Sequence, residues 1–307
     1  MQDWARGDNN DKSVRLLNRV IEWTPPGIRY EAFQRHAELI AKDMGLHERT
    51  NSVVTPGGKK EEEQKGKKLD KARALQYRAN VARANYMSQY RSDIQYQVKE
   101  LCRCMSDPSE GDWLMLKRLA RYLVGHSRVV VHYNYQDKHG VVDAWTDTDY
   151  AGCQDSRKST SGGVIMLGKH MIKSWSSTQT GIALSSGEAE YYGLVKGASA
   201  AIGVRSMHEE MGIKVRVRVS TDASAAKGIA SRRGLGKIRH VEIHQLWVQD
   251  KVATGEVEVR KVNGKENIAD ILTKHVAAED IRVHMHHTSL QHAQGRHAIM
   301  PQIAADG

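Results

Sequence analysis

"DAWTDTDYAG", residues 143–152, runs along what reads as a β-strand and leaves it with Asp147 and Asp149 two residues apart. Strand alternation puts both acids on one face, so the pattern does not choose between them. One aspartate at a strand end is ordinary, because Asp favours turns. Two of them ahead of Tyr150, Ala151 and Gly152 raise the question of a metal site.

From Val129 onward the chain carries short β-branched and aromatic runs, "VVVHYNY", "GVVDAWTD", "GGVIMLG" and "MIKSWSS", separated by Gly, Asp and Lys turns. A long helical stretch follows, Ser185 to Met211, opened by "SSGEAE", in which either serine can cap and an acid falls in the first turn. Then come a strand "VRVRVST", a short helix "ASAAKGIASRR", a helix from about Ile238 to Ala253, a strand "EVEVRKV" and a last short helix "NIADILTKH". From "GVVDAWTD" onward the order β β β α β α α β α predicts an α/β domain.

Four acids stand where this pattern does not require them. Asp147 ends the first strand of the block, Glu190 lies in the first turns of the long helix, Asp222 follows "VRVRVST" at once, and Asp270 sits inside the last helix between Ala269 and Ile271. In α/β sheets, sites form where strand ends and helix starts converge, so Asp147 and Asp222 can meet on adjacent strands with two helix-borne acids closing the cluster. Crowded carboxylates raise one another's pKa unless a cation neutralises them. An all-oxygen shell selects Mg²⁺ or Mn²⁺ over zinc. Two such ions, about 3.5 to 4 Å apart, activate a water and stabilise the leaving oxygen of a phosphodiester. Singly, each acid has an ordinary reading: turn former, helix-dipole partner, N-cap, exposed helix residue. Their joint order on this succession of elements is what points to a metal.

Composition narrows the partners. The 307 residues carry a formal net charge of +10 and are 40% hydrophobic, which indicates a globular chain suited to a polyanion such as nucleic acid. Cys102, Cys104 and Cys153 form no CxxC and no disulfide framework, as expected of a reducing compartment. No signal-peptide core and no run of 18 apolar residues occurs, so an intracellular protein without a membrane partner is expected; cytoplasm and nucleus are not distinguished.

Upstream, residues 13–45 read as a strand-like opening, a Pro25-Pro26-Gly27 turn and an amphipathic helix from about Glu31 to Met44, too little to bury its own face. Residues 56–74 are charged and Gly-bearing, a solvated linker. From Leu75 the apolar spacing turns helical, with a turn expected at Asp107-Pro108-Ser109.

Residues 143–194, with the S/T-D-x-D-[YWF]-A-G opening, "RKSTSGG", "WSS" and "ALSSGEAEY", together with "ADILTK" further on, resemble the ribonuclease H domain of copia-type retrotransposon Pol polyproteins. The likeness covers about residues 139–276. "GIRYEAFQRHAELIAKDMGL" and "YRSDIQYQVKELCRCMSDPSEGDWLMLKRLARYLVG" are more loosely similar to the end of the same polyprotein's reverse transcriptase and the segment joining it to ribonuclease H.

The resemblance implies a ribonuclease H-like fold with a mixed five-stranded sheet, preceded by a mainly helical connection region. Its divisions are 1–55, the end of reverse transcriptase; 56–74, linker; 75–138, helical connection; 139–276, ribonuclease H-like; and 277–307, a disordered tail. It implies two Mg²⁺ or Mn²⁺ ions and cleavage of the RNA strand of an RNA/DNA hybrid, with the remainder of a retroelement polyprotein as a further partner. Position by position it places the catalytic and metal-binding acids on Asp147, Glu190, Asp222 and Asp270. Helical phase alone does not separate Glu190 from Glu188. The Tyr-x-Asp-Asp signature of polymerases does not occur, so no DNA synthesis is expected of this chain. Arg157, Lys158, Arg239, His240 and Lys274 are candidates for phosphate contacts. A catalytically inactive remnant or domesticated nucleic-acid-binding protein is the alternative. An integrase or transposase of related fold would call for a His/Cys zinc module, and the histidines of "VHMHHTSLQHAQGRH" lack that spacing.

Overall fold

The computed structural model describes residues 12–47, 49–58, 66–236, 241 and 243–301. Two five-stranded sheets and a helical layer make up the molecule.

Strands β1 (Ser13–Leu16), β2 (Arg19–Thr24) and β3 (Gly27–Ala32) form an antiparallel meander. The strand register runs through Tyr30 and Glu31, so helix α1 is confined to Arg35–Asp43 and starts later than the apolar spacing suggested. Helices α2 (Lys71–Ser88), α3 (Gln95–Arg103) and α4 (Glu110–Gly125) pack with α1 around Tyr77, Val81, Ile94, Leu116, Leu119 and Leu123. Helix α2 begins at Lys71, inside the expected linker, because Asp70 accepts a hydrogen bond from the Arg73 amide at 2.9 Å. Residues 59–65 of that linker lie outside the described residues. Ser109 and Asp112 close a capping box at the start of α4 where a turn was expected. Strand β4 (Arg128–Asn134) then joins the first sheet beside β3.

The second sheet comprises β5 (Val141–Asp149), β6 (Thr160–Leu167), β7 (His170–Thr178), β8 (Arg216–Thr221) and β9 (Val257–Lys261), in the order β7-β6-β5-β8-β9. Its first three strands are antiparallel, whereas β5, β8 and β9 run parallel. Parallel neighbours need crossovers, which are supplied by α5 (Ser186–Glu210) before β8 and by α6 (Ser224–Ala230) and α7 (Trp247–Ala253) before β9. This is the mixed five-stranded α/β sheet expected of a ribonuclease H-like fold. One core joins it to those helices through Val142, Ala144, Tyr191, Leu194, Val217, Val219 and Val248. Of the single helix expected over 238–253, the described residues form instead a 3-10 turn, Ile243–Gln245, followed by α7 from Trp247; residues 237–240 and 242 lie outside the described set.

The tail departs from expectation. Residues 277–301 are ordered: α8 (Ala278–His287) packs Ile281 and Met285 into a core with Val129, Val131, Val164, Met166 and Leu272, and β10 (Leu290–Ala293) pairs with β4. The histidines had concealed an apolar i, i+4 pair. His284 is itself buried, with Nδ1 at 2.7 Å from the Ile268 carbonyl and Nε2 at 2.8 Å from Ser92 Oγ. Among the described residues no helix is long and apolar enough to cross a membrane.

Candidate metal centre

Asp147 sits near the end of β5, 6% exposed, opposite Gly162 of β6. A side chain at Gly162 would bring its Cβ within 2.8 Å of both Leu272 and Thr273, so the glycine lets the 3-10 turn Asp270–Leu272 lie against the sheet. Thr273 Oγ1 there contacts Asp147 Oδ2 and lies 2.9 Å from the Asp270 carbonyl. Asn267 fixes the same loop: its Nδ2 donates to the Thr146 carbonyl at 3.0 Å and its Oδ1 accepts from the Ala269 amide at 3.2 Å. Asp270 therefore stands in a single 3-10 turn, not in the helix the sequence suggested.

Helix α5 brings Glu190 to the same place. Ser185 is the serine that caps it, accepting from the Glu188 amide at 3.2 Å. Gly193 and Gly197 lie on its approach to β5: a Cβ at Gly193 would be 2.5 Å from Thr148 Oγ1, and one at Gly197 2.4 Å from Thr146 Cγ2. Their missing side chains set the closeness of helix and strand. Asp222 follows β8 directly, with Gly264 leaving room for its carboxylate. Asp147, Glu190 and Asp222 each offer an oxygen within 4.8 Å of the other two.

The structure places differently the members of each acid pair that spacing left undivided. Asp149 turns back over Gly152, where a Cβ would collide with its Oδ2, and is not part of the three-carboxylate group. Glu188 uses both oxygens locally, accepting from the Leu184 amide at 2.9 Å and the Tyr192 hydroxyl at 2.8 Å. Glu190, by contrast, has a buried Oε2 with no hydrogen-bond partner. Asp270 lies at the rim, its side chain 29% exposed and held at 2.5 Å from Lys274 Nζ.

Burial pushes Asp147 up to about 6, opposed by its Thr273 hydrogen bond and reinforced by the charges of Asp270 and Asp222. Burial and the charges of Asp147 and Asp222 push Glu190 up to about 9. Three hard oxygen donors, from residues of which Glu190 also carries a buried carboxylate oxygen without a hydrogen-bond partner, fit a divalent cation and suit Mg²⁺ or Mn²⁺ better than zinc.

Of the basic candidates, Arg157 is exposed in the β5–β6 loop and left-handed (φ 54°), with Lys158 beside it; Lys274 is engaged by Asp270. Arg239 and His240 lie outside the described residues. Sequence reasoning missed Asn267 and Thr273, which position the acids, and the glycines of α5. The one legible sign was Gly at i+3 and i+7 from Glu190 inside a helix, where glycine is otherwise unfavourable.

No protein-family model matches the chain. It is 32% identical over 206 residues to the retrovirus-related Pol polyprotein from transposon RE2 of Arabidopsis thaliana, covering 65% of this chain and 14% of that protein. It is 27% identical over 186 residues to the corresponding polyprotein from transposon TNT 1-94 of Nicotiana tabacum, covering 60% of this chain and 14% of that one. The chain thus spans about one seventh of these relatives' length. Among solved structures, the N-terminal RNase H domain of a Mycobacterium tuberculosis protein aligns with 43% of this chain and 90% of its own, at 19% identity and a TM-score of 0.33.

Proposed function

We propose that this chain, a homologue of the retrovirus-related Pol polyproteins of transposons, is a divalent-metal-dependent ribonuclease that cuts the RNA strand of RNA/DNA hybrids in retroelement reverse transcription. The observation that carries the proposal is the meeting of Asp147, Glu190 and Asp222, whose carboxylates bring three oxygens within 4.8 Å of one another.

Asp147, Glu190 and Asp222 would hold the cation, with Asp270 available at the rim. Bound there, a divalent ion supplies a water of lowered pKa and charge neutralisation at the leaving oxygen. The chain's own part is placement. Thr273 and Asn267 hold Asp147 and the Asp270 turn in register, so the donors need little reorganisation on binding a cation. Glu190 Oε2, left without a protein donor, is free to face the cation. The Lys274 ammonium keeps the Asp270 carboxylate paired and adds positive charge where a phosphate would approach. The +10 net charge favours a polyanionic substrate.

The test is cleavage of an RNA-labelled RNA/DNA hybrid in Mg²⁺ and in Mn²⁺, beside Glu190→Gln and Asp222→Asn. Cleavage by the parent and none by the folded variants is expected. Intact RNA with folded parent protein in both metals refutes the proposal and leaves an inactive remnant.

A further inference from the structure

The β1–β2 hairpin, the first turn of α1 and the end of α2 enclose a cavity of about 170 Å³ lined by Asn18, Arg19, Phe33, Arg35, His36 and Tyr86. It shares no residue with the carboxylate group. Arg19 is held there with unusual thoroughness for a cation without an acid. Its Nε donates to Tyr30 Oη at 2.9 Å, one terminal nitrogen donates to Tyr86 Oη at 3.2 Å, and the other to the Asn18 carbonyl at 3.4 Å. Its guanidinium lies 4.4 Å from the centre of the Tyr90 ring and 5.5 Å from that of Tyr86.

Among the described residues, every partner of Arg19 is a neutral oxygen or a ring. Arg73, Arg83, Arg91, Arg128 and Arg296 of the surrounding structure each meet a carboxylate. The acids of α1 are among those engaged: Glu38 by Arg296 and Asp43 by Arg83. A guanidinium has five N–H donors, and three are used, so one on each terminal nitrogen remains to donate to a phosphate oxygen. Arg35 adds a second, exposed guanidinium on the cavity wall. His36 stands edge-on to Tyr86, its ring centre 5.1 Å away, and burial together with the guanidiniums of Arg83, Arg35 and Arg19 holds it below its ordinary value. The pocket thus gathers positive charge that no acid among the described residues compensates.

We propose that this pocket is a phosphate-binding site, with Arg19 as the fork and Arg35 as the second cation, taking a backbone phosphate of nucleic acid or the phosphate of a nucleotide. It needs neither a metal nor cleavage, so its test runs on the full chain in chelator and stands or falls separately from the nuclease proposal.

The experiment is phenylglyoxal modification followed by peptide mapping, with inorganic phosphate or a fluorescein-labelled oligonucleotide as the protecting probe. Salt-dependent anisotropy of the same oligonucleotide is measured on the parent, Arg19→Gln and Arg35→Ala. Expected are slower modification of Arg19 and Arg35 with both probes, several-fold weaker oligonucleotide binding by each variant, and a salt slope reduced by about 1. Protection by inorganic phosphate alone assigns the site to a free phosphate or nucleotide. Arg35 is exposed, so its variant keeps the parent's fold; an unchanged slope in that variant with no protection by either probe overturns the proposal.

Discussion

Replacing Asp147 by Asn separates what the acid does for the metal from what it does to the fold. Without a cation, burial and neighbouring acids lift Asp147 from its ordinary value of 3.8 to about 6. Between those values the folded protein keeps a proton that the unfolded chain has already released, so stability falls as pH rises through the window. Each tenfold in the ionisation constant is worth about 1.4 kcal/mol, which makes the loss about 3 kcal/mol once pH exceeds 6. Asparagine keeps a hydrogen-bond acceptor for Thr273 and carries no charge. In chelator at pH 8, Asp147→Asn should therefore melt higher than the parent, by about 5 °C if the full amount is recovered. The gap should close toward pH 4. Adding Mn²⁺ should reverse the ranking, because a ligand at about a thousand times its Kd stabilises the parent by about 4.1 kcal/mol, more than the roughly 3 kcal/mol recovered by the variant, which has lost a donor. Differential scanning fluorimetry over this grid of pH and metal suffices. A variant that melts below the parent in chelator at pH 8, or equal stabilisation of both by Mn²⁺, would refute the reasoning.

Thr273→Val should lower cleavage or metal affinity by about 10 to 100-fold, read from initial rates against Mn²⁺ concentration, since the hydroxyl orients an acid without replacing it. Gly197→Ala should destabilise by about 1 to 3 kcal/mol in urea unfolding, because its methyl meets Thr146 Cγ2 at 2.4 Å. Burial holds His284 down at about 4 against an ordinary 6.5, so the protein should lose about 3 kcal/mol as pH falls from 6.5 to 4, and His284→Gln should flatten that part of its pH–stability curve. Ending the chain after residue 276 removes Ile281, Met285 and Leu290 from the core at about 1.5 to 3 kcal/mol each; the shortened protein should be insoluble or fail to show a cooperative melt.

The second sheet was legible because its strands are short, patterned and separated by turn residues, and its acids fall at element ends. Spacing stopped short of choosing between neighbours. Asp147 and Asp149 share strand parity, and only the fold of the loop over Gly152 separates them. Glu188 is satisfied by Leu184 and Tyr192 at its own helix end whereas Glu190 meets Asp147 and Asp222 from other elements, a difference that periodicity does not carry. Helix α8 was hidden by composition: five histidines between residues 284 and 297 mask a stripe as short as Ile281 and Met285. Asn267 and Thr273 act through single long-range hydrogen bonds, which leave no periodic trace.

The outer core of the second sheet has a bearing on inheritance. Val164, Met166 and Leu272 from within residues 139–276 are packed against Val129 and Val131 before that span and Ile281, Met285 and Leu290 after it. A recombination event that exchanged 139–276 alone between elements would carry the acids and strand half the core. The heritable unit here is therefore larger than the motif-bearing span, and foreign copies of that span can be grafted successfully only with β4, α8 and β10 alongside.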